Sequence, residues 1–259
     1  MAMILSVVAV AEAHADNAIV EMPALQVPFD DLGQQGVIVV RIPATGQYVT
    51  NDAERAVTRF FPASTFKVAN TLIALETGAV GSVDEVIPFG GRLQPVKAWE
   101  QDMSLRDALP ISNVAIFQTV ARRVGADAYQ VWLDGLGYGS AEVGQDVTRF
   151  WLRGPLAISA VEQVTFLDAL AQGSLEASAQ SQASTREIMR VEARGDRALY
   201  AKSGWTTAPN PDIGWYVGWV EAPDFKAPFA LNIDTRSRAD LPLREQLSKE
   251  VLAALELYK

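Results

Sequence analysis

The chain predicts an α+β fold: a mostly antiparallel sheet packed by terminal helices, with a helical lobe inserted into it. Three observations lead there. Strand patterns cluster towards the two ends, helical patterns fill the middle, and the last segment is an amphipathic helix. With 259 residues, 49% of them hydrophobic, the chain can bury one sizeable core or two lobes sharing a core. Near-average glycine and proline contents exclude a disordered class, and no repeat or linker interrupts the sequence.

Taken in order, residues 1–15 read as a truncated or atypical export signal. The apolar stretch 3–11 is too short to span a bilayer, and Ala13-His14-Ala15 fits a small-x-small cleavage pattern before Asp16. No basic residue precedes the apolar run and Glu12 sits close to the cut, so a hydrophobic N-terminal strand is the other reading. The expectation is a periplasmic or secreted protein with one catalytic domain over 16–259 and no stable membrane insertion. Residues 36–42 form an apolar run typical of a buried strand, and Thr45-Gly46-Gln47 turns it into a hairpin. Pro62 punctuates the chain before a helix over 64–76 that Gly78 ends. Further helical patterns cover about 112–124, 126–136, 160–171 ahead of Gly173, and 183–191. Strands return at 198–203, 214–221 and 229–234, and a helix over 243–257 closes the chain. The cleft of such a fold lies between sheet and lobe.

The composition restricts the chemistry. There is no cysteine, and the single histidine, His14, falls in the leader-like segment. A Ser-His-Asp triad or a Cys-His pair is therefore excluded, and a zinc site would need carboxylates alone, so no metal is expected. A formal charge of −9 argues against nucleic acid as partner. Any acyl chemistry must draw its base from Lys, Tyr, Asp or Glu. Ser64-Thr65-Phe66-Lys67 offers one: Ser64 and Lys67 share a helical face, and the helix start favours negative charge developing at Ser64. Most Ser-x-x-Lys spacings are surface coincidences, but here Pro62-Ala63, Phe66, Val68 and Ala69 surround it. Desolvation by such neighbours favours the neutral lysine. Lys202-Ser203-Gly204 reads as a strand end where a backbone or carboxylate can approach. Ser112-Asn113-Val114 opens a helix, and taken alone Ser112 would be its N-cap.

In this order the three motifs are signatures of penicillin-recognising serine enzymes. The chain strongly resembles the class D serine β-lactamases of the oxacillinase type. The likeness extends through Phe150-Trp151-Leu152, Ile158-Ser159, Glu162-Gln163-Val164, the run 214–221 and Leu241-Pro242-Leu243-Arg244, and spans about residues 36–255. One departure is Tyr138-Gly139-Ser140, where the family has Tyr-Gly-Asn; this motif reads as architectural.

The resemblance implies a β-lactamase/transpeptidase-like fold and hydrolysis of small-molecule β-lactams. Ser64 would be acylated. Lys67 would be carboxylated by CO2 or bicarbonate and act as general base, with no other cofactor. The Trp151 indole would hold the carbamate beneath a lid of Val114 and Leu152. Ser112 would relay a proton to the leaving nitrogen, tuned by Lys202. Backbone amides of Ser64 and Trp205 would form the oxyanion hole. Arg244, with Ser203 or Thr206, would take the substrate carboxylate, and Trp99 would form an apolar rim. The loop 205–212 is short, as in carbapenem-hydrolysing members, though with other side chains. Three rivals share the motifs: a sensor domain that stays acylated, a D-Ala-D-Ala peptidase and a non-catalytic relative. Monomer and homodimer are both compatible with the sequence.

Overall fold

A computed structural model describes residues 19–207 and 210–259. The leader-like segment 1–15 lies outside these residues, as do Ala208 and Pro209 of the 205–212 loop.

The architecture is a seven-stranded sheet covered on both faces. The strands are β1 Ile19–Glu21, β2 Gly36–Arg41, β3 Tyr48–Thr50, β4 Arg190–Arg194, β5 Arg197–Thr206, β6 Asp212–Glu221 and β7 Lys226–Thr235. Their order across the sheet is β1-β3-β2-β7-β6-β5-β4. Every neighbouring pair is antiparallel except β1 with β3. The helices are α1 Val27–Asp31, α2 Ala53–Val57, α3 Lys67–Glu76, α4 Leu105–Ala108, α5 Val114–Val124, α6 Ala126–Leu136, α7 Phe150–Arg153, α8 Ala160–Gln172, α9 Ala179–Glu187 and α10 Leu243–Ala254.

Two apolar clusters explain the layering. On one face, Leu25, Phe29, Leu247, Val251 and Leu252 from the two ends of the chain meet Ile38, Val40, Leu231 and Ile233. On the other, α8 and the helical lobe meet Val37, Val39, Trp215, Val217 and Trp219. Strand β6 is buried on both faces from Ile213 to Val220, which is why its sequence is an almost unbroken apolar run. Helix α8 starts in a capping box, with Ser159 and Glu162 each accepting from the other's backbone N–H, and ends at the left-handed Gly173.

Three local expectations change. The helix placed at 183–191 is α9, which follows a Ser178 cap and starts at Ala179, four residues earlier than expected, and strand β4 begins at Arg190. Four of the five β4 residues are exposed, so this edge strand carries no alternating apolar signature. Lys202-Ser203-Gly204 lies inside β5 rather than at its end, because pairing with β6 continues through Thr206↔Ile213. The cap of α5 is Asn113, whose Oδ1 accepts the Ile116 N–H at 3.2 Å; Ser112 precedes it at φ +55°.

Candidate active site

A short 3-10 turn, Ala63–Phe66, leads into α3 and presents Ser64 and Lys67 on one side. Lys67 Nζ donates to Ser64 Oγ at 2.8 Å. Lys67 is fully buried, with its Nζ 5.4 Å from the centre of the Phe117 ring. Burial, with the charge of Lys202 adding to it, holds the Lys67 pKa well below the ordinary lysine value. A neutral amine beside a serine hydroxyl can act as a base, which an ordinary lysine at neutral pH cannot.

The opposite wall comes from β5. Because Ser112 is not spent as a helix cap, its hydroxyl is free to accept a hydrogen bond from Lys202 Nζ, which also donates to the Ser203 carbonyl at 2.9 Å. Ser112 occupies the left-handed backbone region, a conformation that costs a non-glycine residue about 1–3 kcal/mol and that clusters at functional sites. Burial, then the charge of Arg244, draws Lys202 down to about 7.

Arg244 sits in the first turn of α10 but does not point to solvent. Its Nε donates to the Leu241 carbonyl and its Nη1 to the Gly204 carbonyl, each at 2.6 Å. The side chain crosses β6 at Gly214, where a Cβ would stand 2.7 Å from Arg244 Cδ and 2.9 Å from Thr235 Cγ2. Burial lowers the Arg244 pKa to about 10, and that guanidinium remains a cation at neutral pH.

These groups converge on a cavity of about 350 Å³. Ser64, Trp99, Ser112, Val114, Leu152, Ser203, Trp205 and Arg244 all line it, together with Pro110, Ile111, Gly204 and Leu241. Trp99 is half-buried on its rim, tied by Nε1 to the Ile111 carbonyl at 3.1 Å. Thr206 stands apart from the lining: it is buried, and its hydroxyl donates to the Leu152 carbonyl at 3.1 Å. Trp151 lies behind the cavity wall. Its ring packs 5.4 Å from Phe66 and 5.1 Å from Phe150, centre to centre. Its indole Nε1–H is buried with no acceptor among the described residues. Such an orphan donor is uncommon and calls for a partner.

Sequence reasoning missed several supports. Asn113 caps α5 and binds the Trp99 carbonyl, Gln163 holds Thr65 Oγ1 at 2.8 Å, and Phe117 underlies Lys67. Asn113, beside Ser112 in a cap-forming pair, and Gln163, within the Glu162-Gln163-Val164 likeness, carried a signal in the sequence, though not for these contacts. The Tyr138-Gly139-Ser140 motif is architectural. Tyr138 packs on Phe66 and Phe166, and Ser140 exchanges hydrogen bonds with Ala157 through both its N–H and its Oγ. Gly139 has φ +58°, and a Cβ there would lie 2.2 Å from the Ala157 carbonyl oxygen. Among the described residues, no group of three or more His, Cys, Asp or Glu side chains could hold a metal ion, and no helix is long and apolar enough to cross a membrane.

Residues 33–253 match the penicillin binding protein transpeptidase domain. The chain is 38% identical over 229 residues to beta-lactamase OXA-5 of Pseudomonas aeruginosa, spanning 87% of this chain and 86% of that one. It is 38% identical over 224 residues to beta-lactamase OXA-48 of Klebsiella pneumoniae, spanning 86% and 84%. The crystal structure of FUS-1 (OXA-85), a class D beta-lactamase from Fusobacterium nucleatum subsp. polymorphum, aligns with a TM-score of 0.89 at 36% identity. That alignment covers 92% of this chain and 100% of the other. The class D beta-lactamase YbXI from Nostoc aligns with a TM-score of 0.87 at 33% identity, covering 90% and 98%.

Proposed function

Because the chain belongs to the class D serine β-lactamases, we propose that it opens the β-lactam amide by acylating Ser64 and releases the product with Lys67, in carboxylated form, as the base. The observation that carries the proposal is the 2.8 Å contact between Ser64 Oγ and a buried lysine biased towards neutrality. The described residues contain neither His nor Cys, and of the two Ser–Lys pairs at the cavity, Ser64 with Lys67 and Ser112 with Lys202, the first stands at a helix start that favours negative charge developing on the serine.

Each residue then has a stated task. Ser64 Oγ attacks the carbonyl carbon as its proton moves towards the Lys67 position. The backbone amides of Ser64 and Trp205 stabilise the developing oxyanion, a contribution of about 2.7–4 kcal/mol per donor in comparable sites. Ser112 delivers a proton to the departing ring nitrogen, and Lys202, depressed to about 7, can both give and regain that proton near neutral pH. Arg244 receives the ring carboxylate, with Ser203 beside it on the cavity wall. Thr206 acts from behind, fixing the Leu152 carbonyl. Val114 and Leu152 shield the base, and Trp99 flanks the entrance.

The donor set suits a carbamate on Lys67. The amine is buried and favours its neutral form, which alone adds CO2, and the unpartnered Trp151 Nε1–H is available to an anion. When formed, the carbamate supplies an anionic base that a bare lysine lacks. Residues 1–15 would direct the remaining single domain, 16–259, to the periplasm or medium.

Intact-mass measurement after brief exposure to a penicillin tests the assignment. One adduct on wild type, absent in Ser64→Ala, is expected; an adduct mapped elsewhere refutes it. Repeated turnover of the same penicillin separates a hydrolase from a sensor domain that stays acylated.

A further inference from the structure

Beside the cavity, over its lining residue Trp205, stands a cation that the hydrolytic groups do not use. The guanidinium carbon of Arg238 stands 5.6 Å from the centre of the Trp205 ring, within the range of a cation–π contact. The ring is itself fixed, because its Nε1 donates to Thr235 Oγ1 at 3.2 Å. A built turn places Arg238 there. Ser237 Oγ accepts the Ala239 N–H at 3.1 Å, and Asp240 Oδ2 accepts the N–H groups of Arg236 at 2.7 Å and Ser237 at 3.2 Å. The nearest carboxylate in sequence is therefore engaged by backbone. Among the described residues, Arg238 forms no ion pair and no side-chain hydrogen bond, and its side chain is exposed.

The surroundings point the same way. The molecule carries a formal charge of −9, yet Arg244 lines the cavity, and Lys67 and Lys202 stand directly behind it, bonded to its lining residues Ser64 and Ser112. Their mutual repulsion is felt: the charge of Arg244 helps to lower Lys202, and that of Lys202 helps to lower Lys67. Arg244, the group of the three that stays a cation at neutral pH, gives the cavity a positive field on an otherwise acidic surface. A β-lactam with one carboxylate satisfies Arg244 and leaves Arg238 unmatched.

The proposed reaction fixes where a second charge would lie. The ring nitrogen faces Ser112 and the carbonyl oxygen faces the amides of Ser64 and Trp205. The acyl side chain must leave the carbonyl carbon on the side away from Ser112. It then runs along β5 past Gly204, and Trp205 is the next side chain on the cavity wall. Resting on that reading, we infer that Arg238, held over Trp205, is a specificity-determining residue that recognises a second anionic group, and that the enzyme favours β-lactams whose acyl side chain carries its own carboxylate.

The test compares two penicillins that differ by one group: a phenylacetyl penicillin, and its counterpart with a carboxylate on the side-chain α carbon. Acylation rate by intact mass and kcat/KM by hydrolysis are both measured for wild type, Arg238→Gln and Arg238→Glu. Arg238→Gln should lower acylation and kcat/KM for the dianionic penicillin about fivefold, the upper range for an exposed ion pair, and leave the monoanionic one within about twofold. Charge reversal should deepen the loss to roughly 25-fold, and raising salt from about 10 mM to about 300 mM should shrink both effects. Equal losses on the two penicillins would make Arg238 a support for the Trp205 wall, and no loss on either would make it a solvated cation; each result overturns the inference. Failure of wild type to turn over the monoanionic penicillin would instead refute the hydrolytic reading, with the acylation rates still deciding the role of Arg238.

Discussion

Replacing Trp151 with Phe isolates one atom. The phenyl ring keeps the packing on Phe66 and Phe150, while the buried Nε1–H, which has no acceptor among the described residues, is removed. Two stability terms oppose each other. Deleting an unsatisfied buried donor relieves about 1–3 kcal/mol of desolvation, and shrinking the ring forfeits packing of about 1–2 kcal/mol. Folding stability should therefore stay within about 2 kcal/mol of wild type. The carbamate is affected far more. A hydrogen bond to a charged group contributes about 1.5–3 kcal/mol, so losing it should weaken CO2 uptake by Lys67 roughly 10- to 150-fold. Two assays read this. The 13C signal of a carbamate formed from labelled bicarbonate gives occupancy directly, and hydrolysis rate against bicarbonate gives the concentration for half-maximal activity. Wild type should be half-activated at low bicarbonate and the variant at a concentration higher by that factor, with similar maximal rates. An unchanged carbamate signal in Trp151→Phe, or wild-type activity that survives thorough CO2 removal, would refute the reasoning.

Arg244→Ala should lower kcat/KM about 10- to 150-fold, mainly through KM, because the carboxylate is bound alike in ground and transition states. It should also cost about 1–3 kcal/mol of stability, since the Gly204 and Leu241 carbonyls lose their donors. A substrate esterified at that carboxylate should not distinguish variant from wild type, and an equal loss on the ester would reassign Arg244 to structure. The buried lysines set a pH dependence. Lys202 has a folded pKa of about 7, below its unfolded value, so the unfolded chain binds more protons between about 7 and about 10.5. Lys67, displaced in the same direction, acts with the same sign. In CO2-free buffer the melting temperature should rise from pH 7 towards pH 9.5, less steeply in Lys202→Met; a flat or falling curve would contradict the depressed values. Activity should fall on the acid side, where Lys67 is protonated, and recover on adding bicarbonate.

Much of the fold was legible because it is written in local period and punctuation. Helix α6 runs from Ala126 to Leu136 as the pattern indicated, since Gly125 and Gly137 bound it. Strand β6 was visible because burial on both faces leaves a run of Trp, Val and Gly with no polar interruption. Strand β4 was not, because an exposed edge needs no apolar residue and takes its conformation from pairing with β5. The pairing of β1 with β3 was hidden for a similar reason: three residues are too few to show a period.

By itself the sequence determined the class of chemistry and one contact within it. Absence of cysteine, and of histidine beyond His14, leaves Lys, Tyr, Asp or Glu to supply a base for acyl chemistry, and a spacing of three on a helix puts Lys67 beside Ser64. Everything separated by long stretches of chain was decided by tertiary structure. Ser112 meets Lys202 across 90 positions only because Asn113 takes over the cap and β5 extends through the motif. Arg244 turns from solvent onto the Gly204 carbonyl only because Gly214 leaves room beneath it. The lowered pKa of Lys67, the Trp151 donor without an acceptor among the described residues and the position of Arg238 over Trp205 are likewise properties of surroundings. Burial and field depend on which distant segments pack together, and local sequence cannot encode what it will be buried against.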